Sequence, residues 1–196
     1  MRFSQAWKAG RAGEEQARSW LMEGGWYVVP MADINSSRQR APMLEGKVAS
    51  IVLPDLAVYG KGIQRWVEVK TKRQASYTRA LHRYEHGVEL PNWEAYMRCE
   101  VESGAEGWLC ILEQEPVPLL LLASCASLDR VKRVYRGEAM AHGRGMAFFP
   151  RDTFDVYPGP SDKPNHGPIR MPPVEAARTL SDGMPAPQLS LFNTWK

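Results

Sequence analysis

The sequence predicts an α/β fold in which a central β-sheet is flanked by helices. One apolar stripe at helical spacing opens the chain, and short apolar runs typical of strands follow it. A second helical segment separates two of these runs, and glycine or proline lies between most of the others. With 196 residues, the chain is long enough for one domain of ordinary size and a tail.

The apolar stripe predicts the first helix over residues 9–23. Ala17, Trp20 and Leu21 recur there at helical spacing. Gly24-Gly25 follows, and glycine commonly ends helices because it adopts the left-handed conformation easily.

The other elements follow from apolar runs and turn residues. Gly60-Lys61-Gly62 is a turn signal, so the runs on either side of it predict a hairpin. A second helix is predicted over 92–103, with Asn92 as its cap. Strands are predicted at 26–29, 51–59, 64–71, 108–112, 119–123 and 145–149, a short helix at 128–135, a polar loop or embellishment at 31–50, and a basic loop with a short helix at 74–90.

The composition is that of a soluble globular protein, with 44% hydrophobic and 24% charged residues. No apolar run approaches the ~20 residues that cross a bilayer, and the N-terminus lacks the apolar core of a signal peptide. We therefore expect a cytoplasmic protein without a membrane partner. Cys99, Cys110 and Cys125 are odd in number and widely spaced, so we expect buried apolar thiols instead of disulfides or a zinc site.

Positive charge is concentrated in one basic stretch, residues 61–83. It holds seven basic residues and one acid and so carries +6, although the whole chain carries only +3. This concentration suggests a polyanionic substrate, and an ordinary solvated face is the alternative. The basic residues are Lys61, Arg65, Lys70, Lys72, Arg73, Arg79 and Arg83.

Acidic residues converge on the predicted hairpin. Side chains alternate along a strand, so Glu68 and Lys70 share one face while Val67 and Val69 turn toward the core. Asp55 opens the preceding strand and can reach the same point.

Two converging carboxylates repel each other unless a cation binds, and oxygen ligands suit Mg²⁺ or Mn²⁺. Such an ion can polarise a phosphodiester and lower the pKa of a bound water. Lys70 would then stabilise the developing negative charge or orient the attacking water. The residues therefore predict metal-dependent phosphodiester hydrolysis.

These residues carry a resemblance to a known family. Pro54-Asp55, followed by Glu68-Val69-Lys70, resembles the signature of the PD-(D/E)XK nuclease superfamily. The run from Gly10 to Ala17, with Leu21 and Gly25, is similar to the opening helix of the Holliday-junction-resolvase-like branch. Over residues 10–113, the resemblance implies a restriction-endonuclease-like core of order αβββαβ with a central mixed sheet.

The resemblance also implies the roles of the site residues. Asp55 and Glu68 would bind Mg²⁺ directly, with Mn²⁺ as a substitute and the Val69 backbone carbonyl as a further ligand. Glu14 on the first helix would assist, usually through water, and Glu15 is its fallback. The implied catalytic set is Glu14, Asp55, Glu68 and Lys70. Related resolvases are often dimers, so a homodimer is an open option.

The basic stretch supplies candidate contacts with DNA. Lys72, Arg73, Arg79 and Arg83 are expected to contact backbone phosphates, which gives affinity without sequence readout. Tyr77 and Tyr84 lie among them and could stack on bases, although simple packing is the alternative.

No metal-binding or catalytic role is predicted for His82, His86 and Tyr96. His82 and His86 lie four apart, but no third zinc ligand is near, so a phosphate contact or a structural role is preferred. Tyr96 on the second helix is expected to pack in the core.

A second motif lies at the C-terminus. Residues 158–187 hold eight prolines and few large apolar groups, which predicts a flexible linker of about 30 Å between the domain (1–157) and a tail (188–196). The tail resembles the motif that binds the bacterial sliding clamp, in which apolar side chains dock into a pocket while glutamine sets the register. The motif is Gln188-Leu189-Ser190-Leu191-Phe192.

The sequence therefore predicts a DNA nuclease recruited to the replication clamp, in the cytoplasm of a bacterial or phage-infected cell. Two alternatives stay open. One is a sequence-specific restriction-like endonuclease with residues 33–50 as its recognition segment. The other is a catalytically silent adaptor that brings DNA to the clamp, against which the complete Asp55, Glu68 and Lys70 set argues.

Overall fold

A computed structural model of the protein describes residues 2–31, 42–47, 50–60, 62–137 and 143–158. The clamp-binding motif and nearly all of the predicted linker lie outside the described residues, as does much of the candidate recognition segment. None of the helices in these ranges is both long and apolar enough to cross a membrane.

The helices of the described residues are α1 (Arg2–Glu23), α2 (Leu90–Ser103) and α3 (Cys125–Val131). Single 3₁₀ turns lie at Arg79–Leu81 and Arg151–Thr153. The strands are β1 (Tyr27–Pro30), β2 (Met43–Glu45), β3 (Ser50–Val52), β4 (Leu56–Gly60), β5 (Ile63–Lys72), β6 (Ser76–Thr78), β7 (Arg83–Glu89), β8 (Glu106–Glu113), β9 (Leu119–Ser124), β10 (Arg133–Tyr135), β11 (Met146–Pro150) and β12 (Asp155–Pro158).

A six-stranded mixed sheet lies at the centre, in the order β1-β4-β5-β8-β9-β12. Strands β5 and β8 are parallel, and α2 connects them because a parallel pair needs a crossover. The other neighbours are antiparallel. The core order α1-β1-β4-β5-α2-β8 confirms the α/β class and the αβββαβ order expected of a restriction-endonuclease-like core.

The two faces of the central sheet are covered by different elements. On one face, Val67 and Val69 of β5 pack against the apolar stripe of α1, as the alternation predicted. On the other face, β8 and β9 pack with α2, α3, β7 and β11. Glu68 turns to this second face, where it meets Tyr96 of α2.

A second, antiparallel sheet of four strands has the order β10-β11-β7-β6. It replaces the predicted basic loop and short helix at 74–90, which is wrong except for the 3₁₀ turn at Arg79–Leu81. Strand β7 pairs on one side with the neighbouring β6 and on the other with the distant β11, where Val88 lies opposite Ala147. Because that partner lies so far along the chain, local periodicity does not show it.

The predicted strand 51–59 is divided into β3 and β4. Pro54 has no amide hydrogen to donate to a ladder, and the Leu53 amide donates to the Pro42 carbonyl at 2.8 Å. The chain therefore pairs with β2 first and joins the central sheet only from Leu56 onward. This break leaves Asp55 just before β4.

Helix α1 begins at Arg2, earlier than the predicted start at residue 9. Helix α2 begins at Leu90, so the prediction that Asn92 caps it is wrong. Pro91 occupies the first turn, where its missing amide hydrogen costs nothing.

The predicted helix at 128–135 is also shifted. The Ser124 side chain accepts a hydrogen bond from the Ser127 amide and starts α3 earlier, whereas Arg133–Tyr135 pairs with β11. The strand predicted at 145–149 is not the last, because β12 follows it at the edge of the central sheet. The three cysteines are buried and free, as expected.

Candidate active site

The Asp55 side chain accepts a hydrogen bond from β5 at a position where β4 offers no backbone partner. The register of β4 begins with Leu56 opposite Val67, so β4 supplies no partner for Val69. The Val69 amide instead donates to Asp55 Oδ2 at 2.9 Å. The N–H and C=O of one strand residue point to the same side, so the Val69 carbonyl also points to the side where Asp55 lies.

Glu68 is held by two donors on the second face of the sheet. Its side chain is buried, and Oε1 accepts hydrogen bonds from Lys70 Nζ and from the Tyr96 hydroxyl, each at 2.5 Å. The Lys70 ammonium also lies 5.8 Å from the centre of the Tyr96 ring. Asp55, Glu68 and Lys70 are therefore brought together, as the spacing predicted.

A close helix–strand approach brings Glu14 toward this cluster. A Cβ atom on Gly13 would lie 2.0 Å from Thr71 Oγ1, so glycine is what allows α1 to lie this near β5. Glu14 is half-buried and pairs with Arg11 at 3.5 Å. Its charge raises the pKa values of both Asp55 and Lys70. The fallback residue Glu15 pairs instead with Arg18 and is mostly exposed.

The electrostatics of the cluster are those of crowded carboxylates. Burial and repulsion by Glu68 raise the pKa of Asp55 to about 8, against the opposing effects of Lys70 and the Val69 amide. Burial disfavours the Lys70 ammonium, but Glu68 and Asp55 outweigh it and raise the pKa of Lys70. With Asp55 and Glu68 both ionised, their negative charge exceeds the positive charge of Lys70 in a poorly solvated place, which a divalent cation would relieve.

Asp55, Glu68 and the Val69 carbonyl form a donor set that suits a hard cation with several water ligands. Within the described ranges, no group of three or more His, Cys, Asp or Glu side chains is arranged to hold a metal ion. A site that depends on two carboxylates, one carbonyl and water matches the preference of Mg²⁺, which keeps much of its hydration. The all-protein cage typical of structural zinc is not matched.

Much of the basic stretch is already paired with acids that come from elsewhere in the chain. Arg65 is buried between the rings of Trp26 and Trp108 and binds Glu106 at 2.8 Å. Arg65 therefore has a structural role, and its charge does not contribute to a surface that could attract a polyanion. Lys61 lies outside the described residues.

The four predicted phosphate contacts differ in their surroundings. Arg79 is exposed, and Lys72 is half-buried at the end of β5, where burial and the nearby Lys70 lower its pKa. Arg73 is exposed but binds Glu115 at 2.6 Å. Arg83 binds the buried Glu85 at 2.8 Å. The positive charge available to DNA is therefore smaller than the sequence count suggests.

The two histidines do not form a metal pair. His82 has a left-handed backbone with φ of 49°, and His86 lies in strand β7 instead of a helix. His86 is buried, with Nε2 2.8 Å from Glu113 Oε1, and Arg151 binds the same carboxylate. A structural role is thus correct for His86.

Tyr96 is a residue of the candidate site that the sequence did not reveal. It packs in the core as predicted, but its hydroxyl also binds Glu68. A buried tyrosine hydroxyl usually has a hydrogen-bond partner, and that rule was the available signal. The partner itself depends on how α2 crosses β5.

No family model matches the sequence, and no curated protein matches it either. Among solved structures, the fold is similar to that of Hjc, a Holliday junction resolvase from the hyperthermophile Archaeoglobus fulgidus. The TM-score is 0.44 at 12% sequence identity, and the match covers 70% of this chain and 86% of that one.

Proposed function

We propose that this chain is a metal-dependent nuclease that hydrolyses phosphodiester bonds in DNA, of the PD-(D/E)XK superfamily and its Holliday-junction-resolvase-like branch. The observation that carries the proposal is the convergence of Asp55, Glu68 and Lys70 at the point where β4 begins beside β5. The resemblance of the sequence around these residues to the superfamily signature supports it. The preferred target would be selected by DNA structure instead of by base sequence.

Each residue of the cluster has a defined task in this proposal. Asp55, Glu68 and the Val69 carbonyl would hold Mg²⁺ or Mn²⁺, with Glu14 assisting through water. The bound cation supplies positive charge at the phosphodiester and makes a water more acidic. Lys70, fixed against Glu68, would orient an attacking water or stabilise the charge that develops on the phosphate.

Cleavage by the full chain tests the proposal. The protein is incubated with Mg²⁺ or Mn²⁺ and with supercoiled, linear, branched and single-stranded DNA. The wild type should cut at least one substrate, whereas Asp55→Asn and Glu68→Gln should cut none. Asp155→Asn removes an exposed carboxylate on the edge strand β12 and is the matched control. If Asp55→Asn cuts as well as the wild type, the site assignment is wrong.

Metal binding can be measured separately from cleavage. Adding Mg²⁺ should raise the Tm of the wild type, since a ligand that binds only the folded state stabilises it. The Asp55→Asn variant should show no such shift, and EDTA should abolish the shift in the wild type. A wild type that binds DNA but shows neither cleavage nor a metal-dependent Tm would instead be a silent adaptor.

The proposal includes recruitment to a bacterial sliding clamp by the C-terminal motif, residues 188–192. A short segment with two leucines and a phenylalanine has the composition that suits an apolar pocket. Deleting these five residues should abolish binding to a purified clamp and leave cleavage of free DNA unchanged. Substituting Asn193, just beyond the motif, is the control. Equal clamp affinity before and after the deletion would contradict recruitment.

A further inference from the structure

Two exposed tyrosines face each other on the β6–β7 hairpin. Tyr77 lies opposite Tyr84 in the strand register, with ring centroids 5.1 Å apart and ring planes tilted by 57°. The two residues remain 49% and 56% exposed. Aromatic surface left in water forgoes the free energy that its burial would give. Tyr77 and Tyr84, the tyrosine pair, therefore form a candidate contact surface for a partner.

The tyrosine pair lies on the side of the second sheet that turns toward the active-site face of the central sheet. Side chains alternate along β7, so Tyr84 and His86 share one face. His86 binds Glu113 at 2.8 Å, and Glu113 lies opposite Lys72 in the register of β5 and β8. Lys72 in turn shares its face of β5 with Glu68. The row of side chains that contains Glu68 thus leads toward the tyrosine pair.

The chain also limits the distance between the two places. Tyr77 is seven positions after Lys70, and an extended chain of that length spans at most about 25 Å. That span equals about seven base steps along one strand of DNA, at about 3.4 Å each. A strand that leaves the active site in the direction of Lys72 would therefore reach the tyrosine pair within about seven nucleotides.

The charge around the tyrosine pair suits a nucleic acid strand. From Lys72 to Arg83 there are four basic residues and no acid. Arg73 and Arg83 pair with Glu115 and Glu85, so the basic side chains of this segment that are left for a DNA backbone are Lys72 and Arg79. Arg79, in the turn between the two strands, is exposed, and the hairpin also places His82 Nδ1 3.5 Å from the Tyr77 hydroxyl. Sites for single-stranded DNA combine basic groups for the backbone with aromatic rings for the bases.

We propose that Tyr77 and Tyr84 form a stacking site for unpaired bases of the DNA strand that the active site cleaves. The inference rests on the proposed nuclease function and specifies its substrate class, which is DNA with an unpaired segment next to the cleavage position. Bases inside a duplex have both faces covered by their neighbours, and exposing one costs unstacking energy. An unpaired base offers its face to a ring without that cost.

Binding of the full chain to oligonucleotides tests the proposal without cleavage. Affinities for a single-stranded oligonucleotide and for a blunt duplex are measured by fluorescence anisotropy in EDTA. Replacing both tyrosines by leucine should weaken single-strand binding by about 5-fold to 100-fold, the range expected for loss of base stacking. Duplex binding should change by less than about two-fold, since backbone contacts stay in place.

Two variants separate stacking from other effects. Replacing both tyrosines by phenylalanine keeps the rings and should retain single-strand affinity, whereas a role for the hydroxyls predicts a loss. The control replaces Tyr27 and Tyr59 by leucine, because these exposed tyrosines also lie opposite each other, between β1 and β4. The control should bind both DNAs like the wild type. All variants should retain the wild-type thermal transition because the altered side chains are exposed.

The outcomes distinguish this inference from the proposed function. If the wild type cuts DNA but the leucine variant binds single strands normally, the stacking site is wrong and the nuclease assignment stands. Equal losses for single strands and duplex would also overturn the stacking site. If single-strand binding depends on both tyrosines but no DNA is cut, the stacking site stands and the nuclease assignment fails.

Discussion

The hydroxyl of Tyr96 on helix α2 donates a hydrogen bond of 2.5 Å to Oε1 of Glu68 on strand β5. Lys70 donates to the same oxygen from two residues along the strand. A buried carboxylate needs such donors, and two donors from different elements fix its orientation. Helix α2 is thus coupled to the geometry of the candidate active site.

Replacing Tyr96 by phenylalanine should lower kcat by about 10- to 100-fold, the usual effect of removing a group that orients a metal ligand. KM for DNA should stay near the wild-type value because Tyr96 is buried and has almost no surface that DNA could contact. Steady-state cleavage kinetics separate the two parameters. Tyr59→Phe is the control, since Tyr59 is exposed. A change in KM alone would show that Tyr96 does not act through Glu68.

Replacing Gly13 by alanine should destabilise the fold by about 1–3 kcal/mol, the typical cost of overpacking. The added Cβ would meet Thr71 Oγ1 at 2.0 Å and force α1 away from β5. Activity should fall with stability, because Glu14 moves with the helix. Denaturant unfolding and cleavage assays measure both effects.

The Gly13 prediction has a matched control and a rescue. A Cβ on Gly10 of the same helix meets nothing within 4 Å, so Gly10→Ala should be neutral or stabilising. Adding Thr71→Ala to Gly13→Ala removes the contacting oxygen and should recover most of the loss. If the double variant is as unstable as Gly13→Ala alone, this contact is not the cause.

Substitutions of Arg65 and Arg79 should have opposite effects on stability and on DNA affinity, although both residues belong to the basic stretch. Arg65→Met should cost about 3 kcal/mol of stability, because it removes a buried guanidinium that pairs with the partly buried Glu106. The affinity of the folded protein for DNA should not change. Arg79→Ala should leave the Tm unchanged, weaken binding to all DNA sequences and reduce the salt slope by about one. Melting curves and salt-dependent binding test this, and an unchanged slope for Arg79→Ala would contradict its phosphate contact.

Lowering the pH should destabilise the second sheet, because it protonates the Glu85 carboxylate. Burial alone would raise the pKa of this carboxyl, but hydrogen bonds from Arg133, Thr78 and Arg83 lower it to about 2. The folded-state pKa lies below the unfolded value of 4.5, so this stabilisation is present above pH 4.5 and is lost as the pH falls toward 2. Its size is about 3 kcal/mol.

The free energy of unfolding measured from pH 6 to 2 tests the role of Glu85. The free energy of unfolding of the wild type should fall steeply below pH 4.5. That of Glu85→Gln should be lower at pH 6 and should change less as the pH falls. Glu94→Gln alters an exposed acid on α2 and should keep the wild-type slope. A Glu85→Gln slope equal to that of the wild type would rule out the predicted linkage.

The core elements could be predicted because their signals are local. The turn at Gly60-Lys61-Gly62 and the runs around it identified the hairpin, and the apolar stripe identified α1. The elements that were mispredicted depend on distant partners. Strand β7 pairs with the distant β11 as well as with the neighbouring β6, and β12 pairs with the distant β9. A strand whose partner is unknown can look like a basic loop.

The sequence by itself determined that Glu68 and Lys70 share a face and that Asp55 precedes the same hairpin, because a strand alternates with a period of two. Only the tertiary structure decided which other groups meet them. The glycine contact of α1 brings Glu14 near, the crossing of α2 brings Tyr96 to Glu68, and two acids from distant segments, Glu106 and Glu115, pair with Arg65 and Arg73. These depend on packing between elements, which local periodicity does not encode.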